Sequence, residues 1–159
     1  MHPRHAVRAT IPPGMMEKAA LERAYRMFVG GHQAVAEASS ERDLCQAICR
    51  AAVDELGYRL AWIGLAEPGS TRVTPVAHAG YEQGYLESIV ISTTDDEQGR
   101  GPTGTAIRER RVSAARDIAT DPRFAPWRTD ALARGYASSA AIPLVVLRKS
   151  RRESPRGFP

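Results

Sequence analysis

A glycine-rich segment, Gly99–Gly104, has the spacing G-x-G-x-x-G, which dinucleotide-binding proteins use to bring a pyrophosphate against backbone N–H groups. That chemistry requires a buried strand directly before the segment, a long helix after it, and an acidic residue further along. Here an acidic loop precedes the segment and only a short helix follows, so dinucleotide binding is not predicted. Two interpretations stay open. The N–H groups from Thr103 to Thr105 bind an anion at the helix start, or the glycines serve a tight turn.

The residues that could act as nucleophiles, bases or metal ligands do not form a known arrangement. Cys45 and Cys49 stand four residues apart and are predicted to share one face of a helix. They are interpreted as small buried apolar residues, with a redox or metal role as the alternative. His32 and His78 have no serine or cysteine signature beside them, and no metal-binding spacing occurs. Neither a catalytic nor a metal site is therefore predicted, and the chain is not expected to be an enzyme.

The remaining chemistry lies in acidic and aromatic side chains. Residues 95–97, Asp-Asp-Glu, form either a solvated turn or a lid over a ligand or cation. Most of the aromatic residues fall on predicted strands or in the irregular middle of the chain, where each one either packs in the core or lines an apolar pocket. These residues are Trp62, Tyr81, Tyr85, Phe124, Trp127 and Tyr136.

Two helices are predicted before the first strand. An apolar stripe in residues 16–38 has helical spacing and packs either on the domain's own sheet or on a partner molecule. The stripe consists of Leu21, Tyr25, Phe28, His32 and Val35. The second helix is predicted to begin after Ser40, because an N-cap serine followed by acidic residues is typical of a helix start. Gly57 has the position of a glycine that ends a helix.

The rest of the pattern predicts paired strands and short helices. Strands at 59–67 and 72–79 are expected to form an antiparallel hairpin. Next come a mixed segment at 81–92, a short helix at 102–110, a strand at 112–118, short helices after Asp121, and a last strand at 137–147. This order is not a regular β-α-β alternation, and it predicts an α+β fold with an antiparallel sheet.

Charge is concentrated at the end of the chain. The formal net charge is +4, and residues 148–159 carry all of that excess, so the body is not a basic surface that would attract nucleic acid. Residues 1–15 and 148–159 have compositions typical of disordered segments. No apolar run approaches the ~20 residues of a membrane span, and no secretory signal occurs. These features predict a cytoplasmic protein. The twenty arginines against two lysines are interpreted as coding composition.

Four segments resemble bacterial GAF domains, in the order expected for that family. Gly57–Ala66 is similar to their first strand, and Gly99–Ile107 to their loop and helix. Asp117–Trp127 and Ser138–Leu144 complete the pattern. The resemblance covers residues 22–147 and is strongest to the modules attached to histidine kinases and cyclic-di-nucleotide enzymes.

The resemblance implies a GAF-like (profilin-like) central antiparallel sheet, with N-terminal helices on one face and a ligand pocket under short helices and loops on the other. It implies a non-catalytic sensory module of signal transduction that binds an unidentified small molecule, with no cofactor identified. Such modules act on a kinase or cyclase effector and dimerise, here through the helix of Leu21, Tyr25 and Phe28. The implied ligand-binding residues are Trp62, Tyr81, Tyr85, Thr103, Gly104, Ile107, Asp117 and Trp127.

Departures from the family pattern narrow these expectations. The chain lacks the motif of the cyclic-nucleotide-binding members, and it lacks the pocket cysteine of the bilin-binding members. An enzyme like the GAF-fold free methionine sulfoxide reductases and a dimerisation module without ligand are the alternatives. The family's last strand and closing helix are not recognisable after Leu147. The domain at 16–147 is therefore expected to be truncated, with an unpaired sheet edge and low stability.

Overall fold

The computed structural model describes residues 38–144 and four isolated positions before them, Glu22, Tyr25, Val29 and Gly31. These four positions are helical, as expected for residues 16–38. Leu21 and Phe28 of the predicted dimer helix lie outside the described residues, as do the end of the last predicted strand and both predicted disordered segments.

Four helices, one 3-10 helix and four strands make up the continuous part. In chain order they are α1 (Glu41–Asp54), β1 (Leu60–Ala66), β2 (Val73–Gly80), α2 (Tyr85–Ser88), α3 (Pro102–Glu109), β3 (Ser113–Ala115), the 3-10 helix (Pro122–Trp127), α4 (Arg128–Ala133) and β4 (Ser139–Ala141). The predicted α+β class and the order of elements are confirmed.

Helix α1 begins and ends at the residues that its sequence predicted. The Ser40 hydroxyl accepts a hydrogen bond from the N–H of Asp43 at 3.1 Å, which satisfies one of the free donors of the first turn. At the other end Gly57 has φ of 70°, a conformation that glycine adopts at little cost because it has no Cβ. Its N–H donates to the Val53 carbonyl at 3.0 Å and closes the helix.

Strands β1 and β2 form an antiparallel hairpin. The turn between them is closed by the N–H of Ser70, which donates to the Glu67 carbonyl at 3.0 Å. The register shifts between Ile63 and Gly64, where Pro75 lies opposite Gly64. Because proline has no N–H for the ladder, it is accommodated at this irregularity.

The two faces of the hairpin have different neighbours. Leu60 and Trp62 of β1 pack against the main core cluster. Side chains alternate along a strand, so Ile63 points to the opposite face. There α1 packs on both strands, and its Cys49 thiol meets the backbone N–H of Ile63.

The core cluster lies between the hairpin and a cover formed by residues 81–138. Its buried members are mostly aliphatic and aromatic: Val73, Tyr85, Leu86, Ile89, Ile91, Ala115, Ile118, Phe124, Trp127 and Ala131. The interior space under the cover is occupied by these side chains.

Within residues 38–144 the strands form two separate antiparallel pairs, β1 with β2 and β3 with β4, and not one continuous sheet. An isolated bridge between Arg72 and Ser92 links the hairpin to the cover. Strand β3 is shorter than the predicted 112–118 because the chain turns after it. The Asp117 carboxylate accepts from the Ala119 N–H at 3.0 Å and from the Thr120 hydroxyl at 2.8 Å, which fixes that turn.

Arginine side chains hold the irregular segments together. Six of them donate to backbone carbonyls: Arg59, Arg100, Arg108, Arg123, Arg128 and Arg134. The arginine content therefore has a structural use that composition alone did not predict. No helix of the described chain is both long and apolar enough to cross a membrane.

Candidate functional site

Trp127 stands at the centre of the cover and is 6 % exposed. Its indole Nε1–H donates to the Val90 carbonyl at 3.0 Å. Its ring meets that of Phe124 edge to face, with centroids 5.6 Å apart. A Cβ placed on Gly101 would lie 2.7 Å from Cη2 of the indole, so the ring packs directly on the backbone at the start of α3. Trp127 is a core residue in this conformation.

A cluster of tyrosines lies where the cover meets the end of the hairpin. The rings of Tyr85 and Tyr136 pack edge to face at 5.2 Å. The Tyr136 hydroxyl donates to the Tyr81 carbonyl. Burial raises the pKa of the Tyr85 phenol above its usual range, so this residue is neutral at physiological pH.

Arg134 joins the end of α4 to the loop before α2. Its guanidinium donates to the carbonyls of Glu82, Gln83 and Asp130 at 3.2, 2.8 and 2.9 Å. The same group lies 5.5 Å from the centre of the Tyr85 ring. These contacts fix the cover at the end where the tyrosines lie.

Glu82 caps the short helix α2. Its carboxylate accepts from the backbone N–H groups of Gly84 at 2.8 Å and Leu86 at 2.6 Å. Burial raises the pKa of this carboxyl, but the two N–H donors outweigh it and hold the pKa below its usual range. Glu82 is thus an ionised structural cap, unsuited to act as a general base.

The glycine-rich segment before and within α3 serves close packing. A Cβ on Gly104 would lie 2.5 Å from the Ser92 carbonyl oxygen and nearer still to that of Gly99. Gly99 and Gly101 are likewise in contact with protein atoms. The N–H of Thr105 donates to the Gly101 carbonyl within the helix. These contacts favour the tight-turn interpretation over an anion site at the helix start.

The eight predicted ligand-binding residues fall into three groups. Trp62, Tyr85, Ile107 and Trp127 come together at the core cluster. Gly104 is buried in α3, and Thr103 is half-buried beside it. Tyr81 and Asp117 are exposed, Tyr81 under the Arg59 guanidinium at 4.6 Å and Asp117 in the turn after β3.

Sequence reasoning missed the arginines that hold the cover. Their partners are carbonyls up to 75 residues away in the chain, as for Arg59 and Arg134. No local spacing signals such a contact. Within the described residues no group of three side chains could hold a metal ion, and His78 is exposed on β2.

The cysteines are placed as structural residues. Cys49 is 1 % exposed on α1, outside the core cluster. Burial, with a smaller effect of Cys45, raises the pKa of its thiol to about 11. A redox nucleophile needs the opposite shift.

We expect Cys49 to resist iodoacetamide at pH 8 in the native protein, because only the thiolate reacts and its pKa is raised. Intact-mass spectrometry should show at most one fast label, on the less buried Cys45, and two after denaturation. Fast native labelling of Cys49 would instead support thiol chemistry.

The raised pKa of the Cys49 thiol also makes the stability of the fold depend on pH. Cys49 stabilises the fold below pH 9, and this contribution is lost as the pH rises towards 11. A Cys49→Ala variant should lack that loss.

Comparison with known proteins shows which family model and which solved structure the chain is similar to. Residues 38–151 match the family model described as GAF domain. A crystal structure of the A. Aeolicus nlh2 GAF domain in an inactive state superposes with a TM-score of 0.52 at 12 % identity. The aligned part covers 67 % of this chain and 59 % of that one, and the similarity shows the fold alone. Among curated proteins no match was found.

Proposed function

The chain belongs to the GAF domain family, and from that premise we propose that it is a non-catalytic regulatory module that senses a small molecule. The proposed ligand site lies between the β1–β2 hairpin and the cover, at the core cluster that includes Tyr85 and Trp127 and against which Trp62 packs. Ile107, Thr103 and Gly104 would border it from α3, with Tyr81 and Asp117 at the outside. The proposal includes a cytoplasmic location and an effector domain or partner that receives the signal.

The attachment of the cover is the observation that carries this proposal. Backbone bonds link it to the hairpin around the bridge of Arg72 and Ser92, where the Val73 N–H donates to the Ile91 carbonyl at 2.9 Å. At the other end the Tyr81 N–H donates to the Arg59 carbonyl at 2.7 Å, and the Arg59 Nε–H donates to the Arg134 carbonyl at 2.6 Å. Between these ends the contact consists of packed side chains. The cover can therefore shift to admit a ligand without breaking a strand ladder.

The interior is filled by aliphatic and aromatic side chains in this conformation, so binding must rearrange them. An apolar interior with a few polar groups is the usual setting for a small organic ligand. The enzyme alternative has less support, because Cys49 is buried on α1 and its thiol pKa is raised.

Native mass spectrometry of the purified protein tests the proposal, with a co-purified small molecule as the expected result. Since Trp62 and Trp127 are the only tryptophans, a Trp62→Phe variant makes Trp127 the sole indole. Its emission should shift when the identified ligand is added back. Trp127→Phe, which leaves Trp62, is the matched control. A folded protein without any bound mass, and without an emission change across a metabolite library, would contradict the proposal.

A dimerisation module without ligand is the second candidate, and the filled interior favours it. Tyr25 is helical and 68 % exposed, which suits a partner-facing position. Light scattering that shows a dimer, together with a ligand-free native mass, would select this candidate over the first.

A further inference from the structure

A groove of about 450 Å³ lies on the outer side of α3, bounded by β3 and the acidic loop before the helix. None of its lining residues belongs to the core cluster. Four of the lining residues are arginines and two are acids: Arg100, Arg108, Arg111, Arg123, Asp95 and Glu109. The lining side chains therefore carry an excess of two positive charges, although residues 1–147 sum to zero, and the Asp121 carboxylate that pairs with Arg123 offsets one of them.

Arg108 is held in place by its own backbone contacts. Its Nη1 donates to the carbonyls of Thr94 at 2.8 Å and Gly99 at 2.7 Å. Its Nε and Nη2 have no acceptor among the described residues. A guanidinium that is already fixed on one side presents the remaining donors to a ligand with little further loss of side-chain freedom.

The other arginines are restrained by exposed acids. Arg100 Nε lies 2.9 Å from Asp95 Oδ1, and these side chains are 63 % and 72 % exposed. Arg111 pairs with Glu109, again in an exposed position. Exposed pairs of this kind contribute little to stability, so an anion with several oxygens can compete with the carboxylates for the guanidinium donors.

Arg123 completes the groove beside β3. Its Nη2 donates to the Asp121 carboxylate at 2.7 Å and to the Ala114 carbonyl at 2.8 Å. The hydrogen bond from Arg123 lowers the pKa of the Asp121 carboxyl, so this pair stays charged at physiological pH.

We propose that this groove binds a small phosphate-bearing molecule, at a site separate from the interior pocket and independent of it. Guanidinium forks fit phosphate oxygens two at a time, and a phosphoryl group carries close to two negative charges, which suits a groove with excess positive charge. Arg108 and Arg111 are the proposed direct contacts. Glu109 is proposed to stay paired with Arg111 until the phosphate group of the ligand displaces its carboxylate.

Calorimetric titration of the full chain with inorganic pyrophosphate tests the proposal. Arg111→Gln should weaken binding about tenfold, the effect of one lost charge-assisted hydrogen bond. Glu109→Gln should tighten it by about threefold or more, because it frees Arg111 and removes a repelling charge. Arg116→Gln is the matched control, since Arg116 is exposed nearby but does not line the groove.

If Arg111→Gln also lowers the stability of the fold, its weaker binding has two possible causes. The tighter binding of pyrophosphate expected for Glu109→Gln has no such second cause, so the test stays decisive. Equal losses for Arg111→Gln and Arg116→Gln would show unspecific charge attraction and overturn the proposal. Undetectable binding of pyrophosphate by both the natural chain and Glu109→Gln would also overturn it, as would binding of duplex DNA in place of pyrophosphate.

Discussion

Replacing Trp127 by alanine should lower the free energy of unfolding by about 3–5 kcal/mol, the usual loss for a buried aromatic residue. The change removes the contact with Phe124 and the hydrogen bond to the Val90 carbonyl, and it leaves a cavity against Gly101. The space cannot close easily, because backbone bonds around the Arg72–Ser92 bridge hold one end of the surrounding cover, and Arg59 and Arg134 hold the other. Urea denaturation followed by circular dichroism measures the loss.

Trp127→Phe is the matched control for this substitution. It keeps most of the ring and removes the indole N–H, which leaves the Val90 carbonyl without its donor. We expect it to cost about 1–3 kcal/mol, from the loss of this part-buried hydrogen bond together with the packing of the larger ring. A loss below about 1 kcal/mol for Trp127→Ala would mean that the indole is not packed as described, and that the interior is already open.

The second large effect is expected for Gly104→Ala. Alanine ordinarily favours a helix over glycine by about 1 kcal/mol. In α3, however, the new Cβ would lie 2.5 Å from the Ser92 carbonyl oxygen and nearer still to that of Gly99. Both neighbours are backbone atoms, so relief requires moving the loop before α3 away from the helix. We expect a loss of about 3 kcal/mol, the upper part of the range for overpacking.

Gly31→Ala is the control that separates packing from helix propensity. Gly31 is also helical, and a Cβ there would meet nothing within 4 Å. This variant should be as stable as the natural chain or more stable by up to about 1 kcal/mol. If Gly104→Ala were equally harmless, the close approach of helix and loop would be wrong, and the anion interpretation of the glycine-rich segment would regain support.

Local signals predicted most of the elements. Ser40 and Gly57 mark the ends of α1, and Asp121 caps the 3-10 helix through the Arg123 N–H. The hairpin followed from two apolar runs around Pro68. In each case the decisive interaction joins residues close together in sequence, so composition and spacing carry the information.

Contacts between residues far apart in the chain were harder to predict from the sequence. The pairing of β3 with β4 depends on strands of three residues each, whose alternation is too short to read. Arg134 looks like any exposed arginine until its partners Glu82 and Gln83, more than fifty residues away, are known. Of the predicted site residues, Tyr85 and Trp127 belong to the core cluster and Trp62 packs against it, because aromatic residues in the middle of a small domain tend to gather in its core.

The division of the strands into two pairs affects how the molecule comes apart. Helix α1 packs on both strands of the hairpin ladder, while the cover is attached by a few backbone bonds at its ends, by distant arginine donors and by side-chain packing. We therefore expect amide protons of β1 and β2 to exchange with solvent through a higher-energy opening than those of β3, β4 and α4. A perturbation that loosens the cover and the β3–β4 pair would then leave helix α1 and the hairpin folded.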